Sequence, residues 1–283
     1  MKITRSNVVY FSPNGTTRQL GEKFNEELEN SGIHSNLINL TGHSIDEIKE
    51  LASKIENEVE LLLIGSPVYA HHPPRAIIDF IRKLPVLDQT LAIIFVTYGA
   101  VSAGSAIRDI AKELKEKNLK IYHGIKFIAR HSMIFDSDKD KLAERPGKKE
   151  FGLVNEFTKQ LLKDVDEKTK VEDLDLLEIG DLPPQSVKGK AVAASMSTSM
   201  IPAPKYHIDR CVFCGKCIDN CSMKALSIID DEKIVRNKEC SKCFNCVRTC
   251  PNNAWTSNFV KLLLKLHDSK TKNIDESRLN KVY

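Results

Sequence analysis

Eight cysteines carry the most specific chemistry in this 283-residue chain, and all of them fall between Cys211 and Cys250. They form two sets of one spacing: Cys211, Cys214, Cys217 and Cys221, then Cys240, Cys243, Cys246 and Cys250, the last followed by Pro251. Thiolates three residues apart let one short loop wrap a compact inorganic centre. The small residues Gly215 and Ser241 let backbone amides come close to its sulfurs. Structural zinc is the rival reading, but zinc ribbons set two cysteine pairs on separated knuckles rather than four thiolates in one short run. The apolar stretch after Met1 is too short for a signal peptide and no apolar run approaches a membrane span. The chain is therefore expected to be cytoplasmic, where thiols stay reduced and metal binding is the better use of clustered cysteines.

A second candidate site is the run Ser12-Pro13-Asn14-Gly15-Thr16-Thr17, which leads from a β-rich segment into a helical one. Hydroxyls and a glycine at a helix N-terminus offer unpaired N–H groups and the positive end of the helix dipole to a phosphate. A plain capped helix would use the same residues, so this loop is weak by itself. It has neither the dinucleotide glycine fingerprint nor the Walker lysine, which sets those ligands aside here. Two later loops, 65–74 and 97–104, each place an aromatic, Tyr69 and Tyr98, just past an apolar run. His71 and His72 read either as proton donors or as ordinary loop histidines.

The elements that must hold these loops are legible from periodicity. Hydrophobic residues at 41% and charged residues at 28% describe an ordinary globular chain, and a net charge of +4 without a dense basic and aromatic patch argues against nucleic acid. Strands are predicted at 3–11, 33–40, 59–65, 90–98 and 119–129. Helices are predicted at 16–30, 44–55, 74–84, 105–117 and 151–165, with Ser44 and Glu47 forming a capping box. The third and fourth strands are almost continuously apolar, so they belong at the centre of a parallel sheet with helices on both faces. Residues 131–150 read as a loop or lid, 168–204 as a linker or covering segment, and 259–266 as one more helix. The charged end, 268–283, reads as partly disordered.

Over about residues 205–256 the cysteine sets resemble the bacterial-type ferredoxin domain, with Ser222 standing where that family usually has proline. Residues 1–167 resemble the flavodoxin family in their three loops, and the whole chain resembles the flavodoxin-ferredoxin fusion proteins of anaerobes. The resemblance implies a doubly wound five-stranded parallel sheet of order 2-1-3-4-5 (1–167), a covering segment (168–204), a small α+β ferredoxin-like domain (205–256) and a C-terminal helix and tail (257–283). It implies two 4Fe-4S clusters with crossed ligands: Cys211, Cys214, Cys217 and Cys250 on one, Cys240, Cys243, Cys246 and Cys221 on the other. It also implies FMN, with Ser12, Asn14, Gly15, Thr16 and Thr17 at its phosphate and Pro67, Val68, Tyr69, Tyr98 and Gly99 along its ring. No acidic residue occurs in 66–76 or 97–106, which by the same resemblance implies an easier second reduction of the flavin. The expected function is single-electron transfer between FMN and the clusters, linking a low-potential donor to a reductase. The alternative is an FMN-dependent reductase of a small molecule fed by the clusters. Expected partners are donor and acceptor redox proteins, with a homodimer as an option.

Overall fold

The computed structural model describes residues 2–56, 58–88, 90–134, 142–167, 173–176, 179–181, 201–230, 232–260, 262–263, 267 and 280–283. Its first half alternates β1 (Arg5–Tyr10), α1 (Thr16–Asn30), β2 (His34–Asn39), α2 (Ile45–Ser53), β3 (Leu61–Pro67), α3 (Arg75–Lys83), β4 (Leu91–Tyr98), α4 (Ala106–Lys115), β5 (Lys120–Ile128) and α5 (Lys148–Asp166). The five strands are parallel and ordered β2-β1-β3-β4-β5, a flavodoxin-like arrangement. Every residue of β3 and β4 is buried, because both faces of these central strands are covered. Leu63, Ile93 and Phe95 face α1 and α5, while Leu62, Ile64, Ile94 and Val96 face α2, α3 and α4. Phe24 of α1 meets Phe95 with ring centroids 5.0 Å apart; burying each such side chain contributes about 1.5–3 kcal/mol.

Local chemistry sets the helix starts. The Ser44 hydroxyl accepts from the Glu47 amide at 3.3 Å and the Glu47 carboxylate accepts from the Ser44 amide at 2.7 Å, closing the capping box at α2. α5 begins three residues earlier than periodicity predicts, because the Glu150 carboxylate accepts from the Gly147 amide at 2.8 Å and holds an additional turn.

The sheet has a sixth strand that the sequence reading lacks. β10 (Lys281–Val282) lies antiparallel on β5, and the Tyr283 amide donates to the Gly124 carbonyl at 2.7 Å. This corrects the expectation of disorder through Tyr283: β5 is otherwise an edge with an open row of amides, and the last residues pair with it. Residues 268–279 lie outside the described residues. Parts of the 168–204 segment are also fixed: the Leu174 amide donates to Ile121 and the Asp181 amide to Gly104, so they cover the sheet as well as link.

The cysteine half contains β6 (Lys205–Tyr206) paired with β9 (Trp255–Thr256), the hairpin β7 (Leu226–Ile229) and β8 (Lys233–Arg236), and two short helices, α6 (Lys216–Asp219) and α7 (Asn245–Thr249). Left-handed backbone recurs at matching places in the two cysteine sets: Phe213 with Lys242, Gly215 with Phe244, and Lys224 with Asn253. The duplication read in the cysteines is therefore a duplication of chain path. Residues 258–260 and 262–263 are helical, as predicted. Among the described residues no helix is long and apolar enough to cross a membrane.

Candidate functional site

The eight thiols are free and line two clefts. Cys211, Cys214, Cys217 and Cys250 line one, and Cys221, Cys240, Cys243 and Cys246 line the other. The crossing arises because the fourth cysteine of each set leaves its own loop on α6 or α7 and is carried to the opposite cleft. Backbone amides already face the sulfurs: Ala225 donates to Cys221 at 3.1 Å, Ala254 to Cys250 at 3.2 Å and Phe213 to Cys211 at 3.4 Å. Burial pushes the Cys217, Cys221, Cys240 and Cys246 thiols above their ordinary value of 9.0, the neighbouring thiols adding to it. Burial thus disfavours the thiolates, and a cationic centre is what would favour them. The buried Trp255 indole nitrogen has no oxygen or nitrogen partner and adjoins Cys217. An orphan donor facing sulfur suits a sulfur-rich cluster, so the residues fit the group.

At the carboxyl end of the sheet the loops after β1, β3, β4 and β5 converge. Asn14, Thr16, Pro67, Val68, Tyr69, Tyr98 and Gly99 border one groove, with Arg130 and His131 closing it. Val68, Tyr69, Tyr98 and Gly99 continue into an adjoining cavity of about 290 Å³, walled mainly by apolar and aromatic groups, which suits a planar ring. Gly15 stands at the N-terminus of α1 with φ +89°, a conformation that favours glycine and turns the chain sharply into the helix. The Ser12 hydroxyl accepts from the Arg18 amide at 3.0 Å. Besides Ser12, three of the loop's side chains have protein partners: the Thr16 hydroxyl donates to Asn14 Oδ1 at 2.9 Å, the Asn14 amide donates to the Arg130 carbonyl at 3.2 Å, and the Thr17 hydroxyl bonds Thr97 at 2.7 Å, fully buried. Asn14 thereby braces the first loop against the loop after β5, and what the first loop offers an anion is the positive end of α1.

The two histidines part company. His71 lines the cavity, whereas His72 Nδ1 is 2.6 Å from an Asp109 carboxylate oxygen and turns away. The sequence reading missed several wall residues: Met133, Ile201, Phe259, Leu263 and His267. His267 Nε2 bonds the Gly99 carbonyl at 3.1 Å, and its ring meets that of His131 edge-on at 5.9 Å. A Cβ on Gly99 would sit 2.5 Å from the His131 ring, so glycine permits this close approach. Asp181 was missed too. Its carboxylate accepts from the Ala103 amide at 2.6 Å and pairs with Lys126, bringing an acid to the loop that lacks one in sequence. Burial and then Asp181 raise the Tyr98 hydroxyl well above 10.0. The lid reading of 131–150 covers Met133, the covering-segment reading of 168–204 spans Asp181 and Ile201, and the amphipathic pattern near Phe259 covers the rest but His267.

The two sites share a wall. Tyr69, Met133, Ile201, Cys243 and Phe244 form one buried cluster, and Phe244 stacks on Phe259 at 6.4 Å. Burial first, and then Cys243, push the Tyr69 hydroxyl far above 10.0. The loop before α1 is bound directly as well, since Asn245 and Arg248 of α7 both donate to the Pro13 carbonyl. Gly42 donates to the Ser222 carbonyl at 2.9 Å, and Lys224 pairs with Glu47.

Residues 203–251 match the 4Fe-4S dicluster domain family. No curated protein matches the chain. Among solved structures, it is similar to a flavodoxin from the domain Archaea (16% identity, 57% of this chain and 99% of that one, TM-score 0.40). It is also similar to oxidised flavodoxin 1 from Bacillus cereus (12%, 56% and 97%, 0.42). A further similar structure is the rubredoxin oxygen:oxidoreductase of Desulfovibrio gigas (10%, 60% and 38%, 0.42). The strand order here and the family match at 203–251 together describe a flavodoxin-like α/β domain joined to a bacterial-type 4Fe-4S dicluster domain, the combination found in flavodoxin-ferredoxin fusions.

Proposed function

We propose that the chain is an electron-transfer iron-sulfur flavoprotein that binds FMN and two 4Fe-4S clusters and passes single electrons between them. The observation that carries this reading is the shared wall: Tyr69 borders the cavity between the β3 and β4 loops and packs with Cys243 of the second cysteine set. Bound FMN would trade two electrons on one side for single electrons on the other, while each cluster carries one. The chain's own residues supply position. The N-terminus of α1, with Ser12, Gly15 and Thr16, would hold the phosphate, and Val68, Tyr69, Tyr98 and Gly99 would hold the ring. Cys221, Cys240, Cys243 and Cys246 would hold the cluster nearer that ring, and Cys211, Cys214, Cys217 and Cys250 the one farther from it. Redox proteins serve as donor and acceptor.

A second reading is an FMN-dependent reductase of a small molecule. It is favoured by the extension of the cavity past the two loops to Met133, Phe259, Leu263 and His267, with His71 also on its wall. Anaerobic purification with assay of iron, sulfide and flavin comes first. Rapid one-electron reduction of a carrier without organic turnover supports the transfer reading; saturable conversion of one metabolite supports the reductase. Stoichiometric zinc with iron near zero overturns both.

A further inference from the structure

Ser222 follows the fourth cysteine of the first set, yet its side chain serves the second. It is buried, at 2% exposure. Its hydroxyl lies 3.2 Å from the Cys243 sulfur and 3.2 Å from the Ser241 hydroxyl, itself buried. In the free thiol either atom could supply the proton. A cysteine bound to iron is a thiolate without one, so Ser222 must donate to Cys243, and its oxygen can then accept from Ser241. The two hydroxyls form a chain ending on one ligand sulfur, each bond polarising the next. Meanwhile the Ser222 carbonyl accepts from Gly42 of the flavodoxin-like half, which fixes the residue's position.

A hydrogen bond to a ligand sulfur strengthens when an added electron raises the charge on that sulfur, so it favours the reduced cluster. We infer that Ser222, supported by Ser241, raises the reduction potential of the cluster held by Cys221, Cys240, Cys243 and Cys246, the one beside the Tyr69 wall, and so draws electrons to it. Ser222 is a positioning and tuning residue and ligates nothing. The first cysteine set has a different donor, since Trp255 adjoins Cys217 there. The two potentials are therefore under separate control. This inference rests on the two-cluster reading above.

The test is an anaerobic redox titration of the full chain followed by electron paramagnetic resonance. Ser222→Ala is expected to lower one of two cluster midpoints, changing that cluster's reduction equilibrium by roughly tenfold, as loss of one hydrogen bond would. The other midpoint stays in place. Ser222→Thr keeps the hydroxyl and the wild-type value, and Ser241→Ala lowers the same midpoint by less. Trp255→Phe lowers the other midpoint. Two assembled clusters with both midpoints unmoved in Ser222→Ala, or both moved alike, overturn the inference. If Ser222→Ala fails to assemble, Ser241→Ala decides in the same way, and an unmoved midpoint there overturns the inference. A wild-type chain lacking two clusters by iron and sulfide analysis overturns instead the reading on which this one rests.

Discussion

The Asn245 side-chain amide donates to the Pro13 carbonyl at 2.8 Å, so a helix of the cysteine half is fastened to the loop that precedes α1. Asn245 is buried, and Arg248 reaches the same oxygen at 3.0 Å. Asn245→Ala leaves a buried carbonyl with a poorer set of donors and is expected to cost about 1–3 kcal/mol in denaturant unfolding of the full chain. Flavin-to-cluster transfer in stopped flow should slow at the same time, because the bond fixes the two halves against each other. Unchanged unfolding and unchanged transfer would refute a docking role.

The crossed ligand sets make a sharp arithmetic. Cys221→Ala and Cys240→Ala should each lower iron from roughly eight to roughly four per chain, and the double variant should lose no more than either alone. Cys217→Ala combined with Cys221→Ala should lose both clusters, although the two residues share one sequence set. Iron and sulfide analysis after anaerobic reconstitution checks this, and sequence-set grouping predicts the opposite pattern.

Gly15 has φ +89°, with open space around its Cβ position. Gly15→Ala is therefore strained by the backbone alone, by about 1 kcal/mol, with no clash. Because the strain moves the α1 terminus, FMN affinity measured by quenching of flavin fluorescence should fall roughly tenfold.

Val101 is 52% exposed at the edge of the cavity. Val101→Glu should lower the potential of the second flavin reduction in anaerobic spectroelectrochemistry and leave the first nearly fixed, since only the second adds a net negative charge near the new carboxylate. A wild-type second couple already as low as that of acidic flavodoxins would refute the easier second reduction expected of loops without acidic residues.

Glu47 is held at about 2, against an ordinary 4.5, first by its hydrogen bond from Lys224 and then by the Ser44 amide. A lowered carboxyl stabilises the folded state above its unfolded value and loses that contribution as pH falls. The difference in melting temperature between wild type and Glu47→Gln should thus be constant from pH 7 to about 5 and shrink from about 4.5 toward 2. Because the pair is on the surface, added salt should shrink it wherever Glu47 is charged.

The eight cysteines, their two identical spacings and the apolar runs of β3 and β4 needed no tertiary context. Ligand spacing and strand period are local properties, and a buried parallel strand announces itself by lacking polar residues. The capping box at Ser44 and the loop before α1 were legible for the same reason. Other features depend on residues far apart in the chain: Asp181 beside Ala103, His267 on Gly99, Tyr283 paired to Gly124, and Ser222 facing Cys243. The directions of Asn14 and Thr17 also escaped, because each found its partner, Arg130 or Thr97, only once the sheet brought separate loops together. Sequence alone singled out the cysteines whose type and spacing suit a metal centre. Tertiary structure decided which stand against one another, because packing across long loops is fixed by complementary surfaces that leave no periodic mark on the chain.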